Sequence, residues 1–241
     1  MESRAVFELG AIWAASPLLR MVGRGDNHPV LILPGFLADD PSTAPLRSVL
    51  RGQGYWVHGW QLGRNLGPTP DVIDGLVARL HALHERHGRP VSLIGWSLGG
   101  IYARRLARRY PQLVRQVITL GSPFRINPDV DRSAVSGLYD RLRPTHAVTV
   151  DEVLPGMDAG PLSVPATSVY TRTDGVVRWW QCLESIGDER ENIEVRGSHS
   201  GLGFNPAVIF AISDRLAQAP DDWRPFRAPF GFGHQYPHPA D

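Results

Sequence analysis

Ser97 sits in Gly95-Trp96-Ser97-Leu98-Gly99, with a residue lacking a side chain two positions to either side of the hydroxyl. A serine hydroxyl is a weak nucleophile at neutral pH and becomes useful in acyl transfer only when a neighbouring base can take its proton. The flanking sequence suits that task. An apolar, β-rich run, Val91 to Ile94, leads into the motif, and Gly99-Gly100 opens a stretch carrying Ile101, Ala103, Leu106 and Ala107. A serine at the apex of a sharp strand-to-helix turn brings the residues two before and two after it into close approach, which favours glycine at both. Glycines that merely pack an ordinary strand–turn–helix are the alternative reading, and the strand before and helix after the motif argue against it.

Such a serine needs a base, an acid to orient the base, and two N–H donors for the developing oxyanion. In an elbow of this kind the acid and then the histidine come after the serine along the chain. Of nine histidines, His28, His58, His81, His84 and His87 precede Ser97, and His146 falls in a long connection. His234 and His238 lie in a Pro-rich tail. That leaves His199, in Gly197-Ser198-His199-Ser200-Gly201-Leu202, after the last strand and before the last helix. The strand before that runs into Thr171-Arg172-Thr173-Asp174-Gly175, which makes Asp174 the candidate acid. Asp-Gly is also a common structural turn pair; Asp151 and Asp158 are rivals, but neither comes after a clear strand. The donors expected at the oxyanion are the backbone amides of Leu98, after the nucleophile, and Phe36, in Ile32-Leu33-Pro34-Gly35-Phe36.

Hydrophobic periodicity gives the elements that must position these residues. Strands are predicted at Val30–Leu33, Tyr55–His58, Val91–Ile94, Gln116–Leu120, Ala166–Tyr170 and Ile193–Val195. Helices are predicted at Pro45–Arg51, Asp71–Arg86, Ile101–Arg109 and Pro206–Leu216. Strands alternating with helices predict an α/β fold, a mostly parallel sheet of about six strands covered on both faces, in a single domain over residues 1–241. The stretch Arg125 to Val164 is long for a connection in a compact domain and is expected to form a lid or cap. The tail from Pro220 is expected to be extended and held only by aromatic contacts. Residues 1–22 have apolar positions near helical spacing but are too short and polar to span a bilayer and lack a signal-peptide layout.

Composition narrows the classes further. Lys+Arg 25 against Asp+Glu 24 leaves a formal charge of +1, with no concentration of basic residues to suggest a nucleic-acid groove. All 25 basic residues are Arg. Cys182 is the only cysteine, so no intrachain disulfide is possible, and its surroundings read as a small buried hydrophobe rather than a catalytic thiol. A cytoplasmic location is expected. The i, i+3, i+6 set His81, His84, His87 drifts around its helix and reads as a solvated face, not a metal site.

Together, Leu33-Pro34-Gly35-Phe36, Gly95 to Gly100, Gly121-Ser122-Pro123, Thr173-Asp174-Gly175-Val176-Val177 and His199 to Leu202 resemble the lipase and esterase branch of the α/β-hydrolase superfamily. The Gly-Ser-Pro and Asp-Gly-Val-Val segments are similar to those of bacterial lipases and deacylases of the inositol-deacylase-like group. The resemblance covers roughly Val30 to Leu216 and implies the lid. The chain departs from larger members in opening at the oxyanion strand without a preceding antiparallel hairpin, and in having no His-Gly pair before Phe36. Motifs and resemblance together imply a serine ester hydrolase working through Ser97, Asp174 and His199 by an acyl-enzyme, with no metal or organic cofactor. Its expected partner is a small hydrophobic ester held by Trp96, Phe124, Leu138, Tyr139, Leu202 and Phe204, each of which could equally be ordinary core. Acyl transfer to an alcohol or thiol is the alternative, and a non-catalytic binding module a more distant one.

Overall fold

The computed structural model describes residues 24–125 and 160–237. Its elements in chain order are β1 (Pro29–Leu33), α1 (Asp40–Gly52), β2 (Trp56–Gly59), α2 (Pro70–His87), β3 (Val91–Trp96), α3 (Leu98–Arg109), β4 (Val114–Leu120), β5 (Ala166–Tyr170), β6 (Arg190–Glu194) and α4 (Pro206–Leu216). The six strands form one sheet in the order β2-β1-β3-β4-β5-β6, and every neighbouring pair is parallel. This is the fold class that the alternating pattern predicts.

Strand burial explains why the runs read as continuous rather than alternating. β1 and β3 are buried along their whole length, because helices cover both faces of a parallel sheet. Leu31, Leu33, Val91, Leu93 and Val117 turn to one face and pack with Ile73, Leu76 and Leu80 of α2 and Tyr102 and Leu106 of α3. Val30, Ile32, Ile94, Ile118 and Val169 turn to the other, against Leu46 and Leu50 of α1 and Val208, Ile209 and Ile212 of α4.

The helix ends obey local rules. In α2, Thr69 accepts from the Val72 amide at 3.2 Å, Pro70 occupies the first turn and Gly88 closes the helix in the left-handed region. In α4, Asn205 accepts from the Ala207 amide at 2.9 Å ahead of Pro206. α1 departs from the expected start at Pro45: it begins at Asp40, with Pro41 in its first turn as local rules favour, and carries Pro45 inside it. Tertiary bonds reinforce that start. The Asp40 carboxylate accepts from the amides of Trp60 and Gln61, both at 3.0 Å, tying the first turn to the end of β2.

The tail is also held differently. Phe226 does meet Phe210 edge-on and Tyr236 at a tilt, but polar bonds secure the tail as well. Glu191 accepts from the Phe226 amide at 2.7 Å, Arg215 donates to the Arg224 carbonyl at 2.6 Å, and Tyr236 donates to the Ala207 carbonyl at 2.8 Å. The segment is not wholly extended either, since Gly233–Gln235 forms a turn of 3-10 helix. A buried strand-edge carboxylate and an arginine left without these partners would be costly, so the tail is anchored where they lie. Residues 1–23 and 126–159, where the apolar N-terminal stretch, most of the expected lid, Leu138, Tyr139, His146, Asp151 and Asp158 fall, are outside the described residues, as is His238.

A buried and a half-buried imidazole predict an acid-sensitive fold. His28 is fully buried, its Nε2 at 2.9 Å from the Ser92 hydroxyl and its Nδ1 against Asp26. Burial, then the nearby Arg115 guanidinium, hold it down at about 4 against the opposing pull of Asp26. His58 is likewise held at about 4, by burial and then by His87, whose Nε2 lies 3.0 Å away. In an unfolded chain both would titrate near 6.5, so between that value and about 4 the unfolded state binds more protons and stability falls as pH falls. The urea midpoint should therefore drop between about pH 7 and pH 5, while the His28 ring resonance stays unprotonated over that window. A His28 signal titrating near 6.5 would show that the ring is not held neutral.

Candidate active site

A parallel sheet puts every strand's carboxyl end on one edge, and the connections leaving that edge meet there. β1 lies between β2 and β3, so the chain leaves β1 in one direction along the sheet and returns to β3 on its other side. The crevice between the two carboxyl ends is where such sheets place ligands. Leu33 pairs with Gly95 in register, which sets the Pro34-Gly35-Phe36 turn beside Ser97. A Cβ built on Gly35 would lie 3.2 Å from the Ser97 Cβ.

Ser97 has φ 52° and ψ −121°, at the N-cap of α3. A non-glycine residue there carries strain of about 1–3 kcal/mol, retained only where the surroundings over-determine it. They do. The Ser97 amide donates to the Leu120 carbonyl at 2.8 Å. A side chain on Gly95 would collide with the backbone of Gly99 and Gly100, and one on Gly99 would come within 2.7 Å of the Leu33 carbonyl carbon. Ser97 itself remains partly accessible, and its neighbour Leu98 begins the helix whose N-terminus carries partial positive charge.

The remaining two sequence-predicted residues meet at the same edge. Asp174 Oδ2 lies 2.7 Å from His199 Nδ1, and both side chains are almost completely buried, at 3% and 8% exposed. The other carboxylate oxygen, Oδ1, accepts from the amides of Val176 and Val177, each at 2.8 Å. The acid is thus fixed on both oxygens, and its partner imidazole has one nitrogen committed. Gly121, at φ 54°, runs beneath the pair: a Cβ there would stand 3.2 Å from His199 Nδ1 and 3.4 Å from Asp174 Oδ2. Only a residue without a side chain leaves room for that contact.

A family model described as the alpha/beta hydrolase fold matches residues 30–182. The chain belongs to the α/β-hydrolase fold family. Its membership makes it a hydrolase enzyme. A pimeloyl-[acyl-carrier protein] methyl ester esterase from Aromatoleum aromaticum is 25% identical over 194 residues, 70% of each chain. Among solved structures, Aspergillus fumigatus lipase B is similar with a TM-score of 0.62 at 17% identity, over 84% of this chain and 57% of that one. The thioesterase domain from the curacin biosynthetic pathway is similar with a TM-score of 0.57 at 16% identity, over 80% and 92%. These structural likenesses concern the fold.

Several α/β-hydrolase site features here escape sequence reasoning. Thr171 and Thr173 both donate to the Gly197 carbonyl, at 3.2 and 2.6 Å, and bind the loop carrying Asp174 to the one carrying His199. A Thr-x-Thr before the acid is the only trace of this in the sequence. The residue before the nucleophile, Trp96, reaches across the sheet and donates its indole N–H to the His199 carbonyl at 3.1 Å. Asn65 donates to the Pro34 carbonyl at 2.9 Å from a loop that carries no recognisable motif.

Of the apolar candidates, Trp96, Phe124 and Leu202 are buried and Phe204 is half-buried. Trp96 and Leu202 belong to the cluster under α4, with Phe204 against it, and Trp96 meets Phe204 edge-on at 5.7 Å. Phe124 is packed in the opposite cluster, beneath the Arg104 guanidinium at 3.9 Å. Arg104 is itself paired with Glu184, both buried, and donates to the Gly160 carbonyl at 3.2 Å. Cys182 is buried, and burial pushes its thiol well above the usual range, which suits packing rather than catalysis. His81, His84 and His87 do not form one solvated face: His81 meets Tyr110, His84 meets the Arg89 carbonyl, and His87 meets His58. Among the described residues no group of three or more His, Cys, Asp and Glu could hold a metal ion, and no helix is long and apolar enough to cross a membrane.

The elbow's packing predicts the outcome of a one-carbon change. Gly99→Ala forces a methyl group into the Leu33 backbone, which cannot move without shifting the Phe36 turn. We expect a loss of about 1–3 kcal/mol in urea unfolding, as for other overpacked sites, with activity falling further than stability alone explains. A variant as stable and active as the parent would mean that the close approach is not required.

Proposed function

We propose that this protein is a serine carboxylic-ester hydrolase that acts on a small hydrophobic acyl ester through Ser97, His199 and Asp174. The observation that carries the reading is the Asp174–His199 contact at 2.7 Å, on the sheet edge where Ser97 sits. With Nδ1 turned to the carboxylate, Nε2 is the nitrogen that takes the Ser97 proton. The deprotonating serine oxygen attacks the ester carbonyl, and the negative charge that develops falls to the amides of Leu98 and Phe36 and to the α3 N-terminus. His199 then gives the proton to the departing alkoxide, the C–O bond breaks and an acyl-enzyme remains. Water, deprotonated by the same imidazole, attacks the acyl carbon and releases the acid and the free serine. Asp174 stays ionised throughout, holding the ring's tautomer and stabilising the imidazolium.

The substrate class has separate support. The curated relative from Aromatoleum aromaticum is a methyl ester esterase, which favours an oxygen ester over an amide. Gly121-Ser122-Pro123 and Asp174-Gly175-Val176-Val177 favour a place near the inositol-deacylase-like lipases within the family.

Ser97→Ala should lower kcat for p-nitrophenyl esters by more than about a thousandfold and abolish labelling by a fluorophosphonate probe. Labelling that survives would put the nucleophile elsewhere. Asp174→Asn should leave the melting temperature near that of the parent. It should still cut kcat by orders of magnitude, because an amide cannot hold the same histidine tautomer. Across a series of p-nitrophenyl esters, kcat/KM should rise with acyl length, each buried methylene contributing about 0.8 kcal/mol at most. A preference for acetate over every longer chain would refute a hydrophobic acyl site.

A further inference from the structure

Asn65 is 0% exposed, in the loop between β2 and α2, yet all its polar atoms are used. Its side-chain Nδ2 donates to the Pro34 carbonyl at 2.9 Å. Its backbone carbonyl accepts from the Leu37 amide at 2.7 Å, and its backbone amide donates to the Ala38 carbonyl at 2.8 Å. Its Oδ1 accepts from the Gly67 amide at 3.2 Å and from the Tyr102 hydroxyl at 3.3 Å. A carbonyl on one side and N–H and O–H groups on the other leave a single orientation for the amide.

These bonds enclose one short stretch of chain. Pro34, Leu37 and Ala38 flank Phe36 on both sides, and all three are tied to Asn65. Leu37 lies at φ 63°, a backbone state that non-glycine residues adopt only under constraint; here its own amide is held by Asn65. The turn is closed by a bond from the Ala38 amide to the Gly35 carbonyl at 3.1 Å, and Gly35 lies beside Ser97, where an added Cβ would stand 3.2 Å from the Ser97 Cβ. Tyr102 belongs to α3, the helix that begins at the nucleophile. One buried amide therefore joins the turn carrying the Phe36 N–H to the helix carrying the Leu98 N–H.

We propose that Asn65 is a positioning residue that presets the oxyanion turn, holding the Phe36 amide at a fixed distance from Ser97 and Leu98. The proposal rests on the serine-hydrolase reading above. A preset donor stabilises charge that appears only in the transition state, so its misplacement reduces kcat and leaves substrate affinity largely intact. The side chains nearest to asparagine in shape or length do not serve here. Aspartate has no donor for Pro34, leucine has neither group, and glutamine is one methylene too long for a closed site.

The test compares Asn65→Ala and Tyr102→Phe with the parent and with Ser97→Ala. Asn65→Ala should lower kcat by about 10–100-fold with KM changed less than about threefold, below the full loss of an oxyanion donor. Affinity for an alkyl trifluoromethyl ketone, whose carbonyl carbon adds the serine oxygen to form a charged hemiketal, should weaken by a similar factor. Affinity for the matching methyl ketone, which stays a ketone, should not change. Tyr102→Phe keeps the ring's packing and frees only one side of the amide, so it should shift kcat and the trifluoromethyl ketone several-fold in the same sense. If Asn65→Ala does not fold, Tyr102→Phe decides alone. Unchanged kcat in an active, folded variant overturns the role of Asn65 while leaving the hydrolase reading in place, as does an equal loss of affinity for both ketones. A parent that neither hydrolyses esters nor reacts with a fluorophosphonate overturns both.

Discussion

The backbone at Ser97 is the constraint on which the rest of the site depends. Its φ of 52° turns a buried strand into a helix within one residue, and nothing local favours that conformation for a serine. It persists because the chain is closed in on every side: the Leu120 carbonyl takes its amide, and the Leu33 backbone closes on Gly99. Each contact comes from a different strand. The elbow is therefore a property of the assembled parallel sheet, and the strain it stores is offset by the burial of β1, β3 and β4 around it.

The same edge of the sheet explains the electrostatics. Asp174 is nearly excluded from water, which would ordinarily disfavour a carboxylate. Two backbone amides and an imidazole supply the compensation. With both oxygens engaged the carboxylate has no alternative arrangement, and the histidine inherits that rigidity. Trp96 and the two threonines extend it to the backbone of the histidine loop, at the carbonyls of His199 and Gly197. The ring is thus located from the carboxylate side and from the main chain at once, which preorganised proton transfer requires.

The two halves of the site are built differently. The Asp–His half is made by side chains meeting across the ends of β5 and β6. The other half, the Pro34–Ala38 turn that carries the proposed oxyanion donor Phe36, is made by main chain, and main chain has no shape of its own to hold it in a turn with a non-glycine residue at positive φ. Asn65 supplies that hold from a loop with no secondary structure. Both halves depend on a buried polar group that is fully satisfied, the condition under which such groups rigidify rather than destabilise.

By itself the sequence determined the features that short-range physics encodes. The Gly-x-Ser-x-Gly spacing, the apolar strand ahead of it and the amphipathic helix after it are each legible within a dozen residues, since period and steric limits are local. The fold class came from the same periodicities, and Asp174 and His199 came from the chain order expected of such an elbow together with the strand that each follows. Only the tertiary structure decided the contacts that join distant segments. Pro34 and Asn65 are 31 positions apart, and Trp96 and His199 are 103 apart; their meeting depends on sheet register and loop path. The same holds for the first turn of α1, whose Asp40 is tied to amides at the end of β2. It holds too for Trp96, Phe124 and Leu202, whose apolar character does not say which face of the sheet each one packs on. Hydrophobicity states that a side chain will be buried, but the partner that buries it is chosen by the packing of the whole chain.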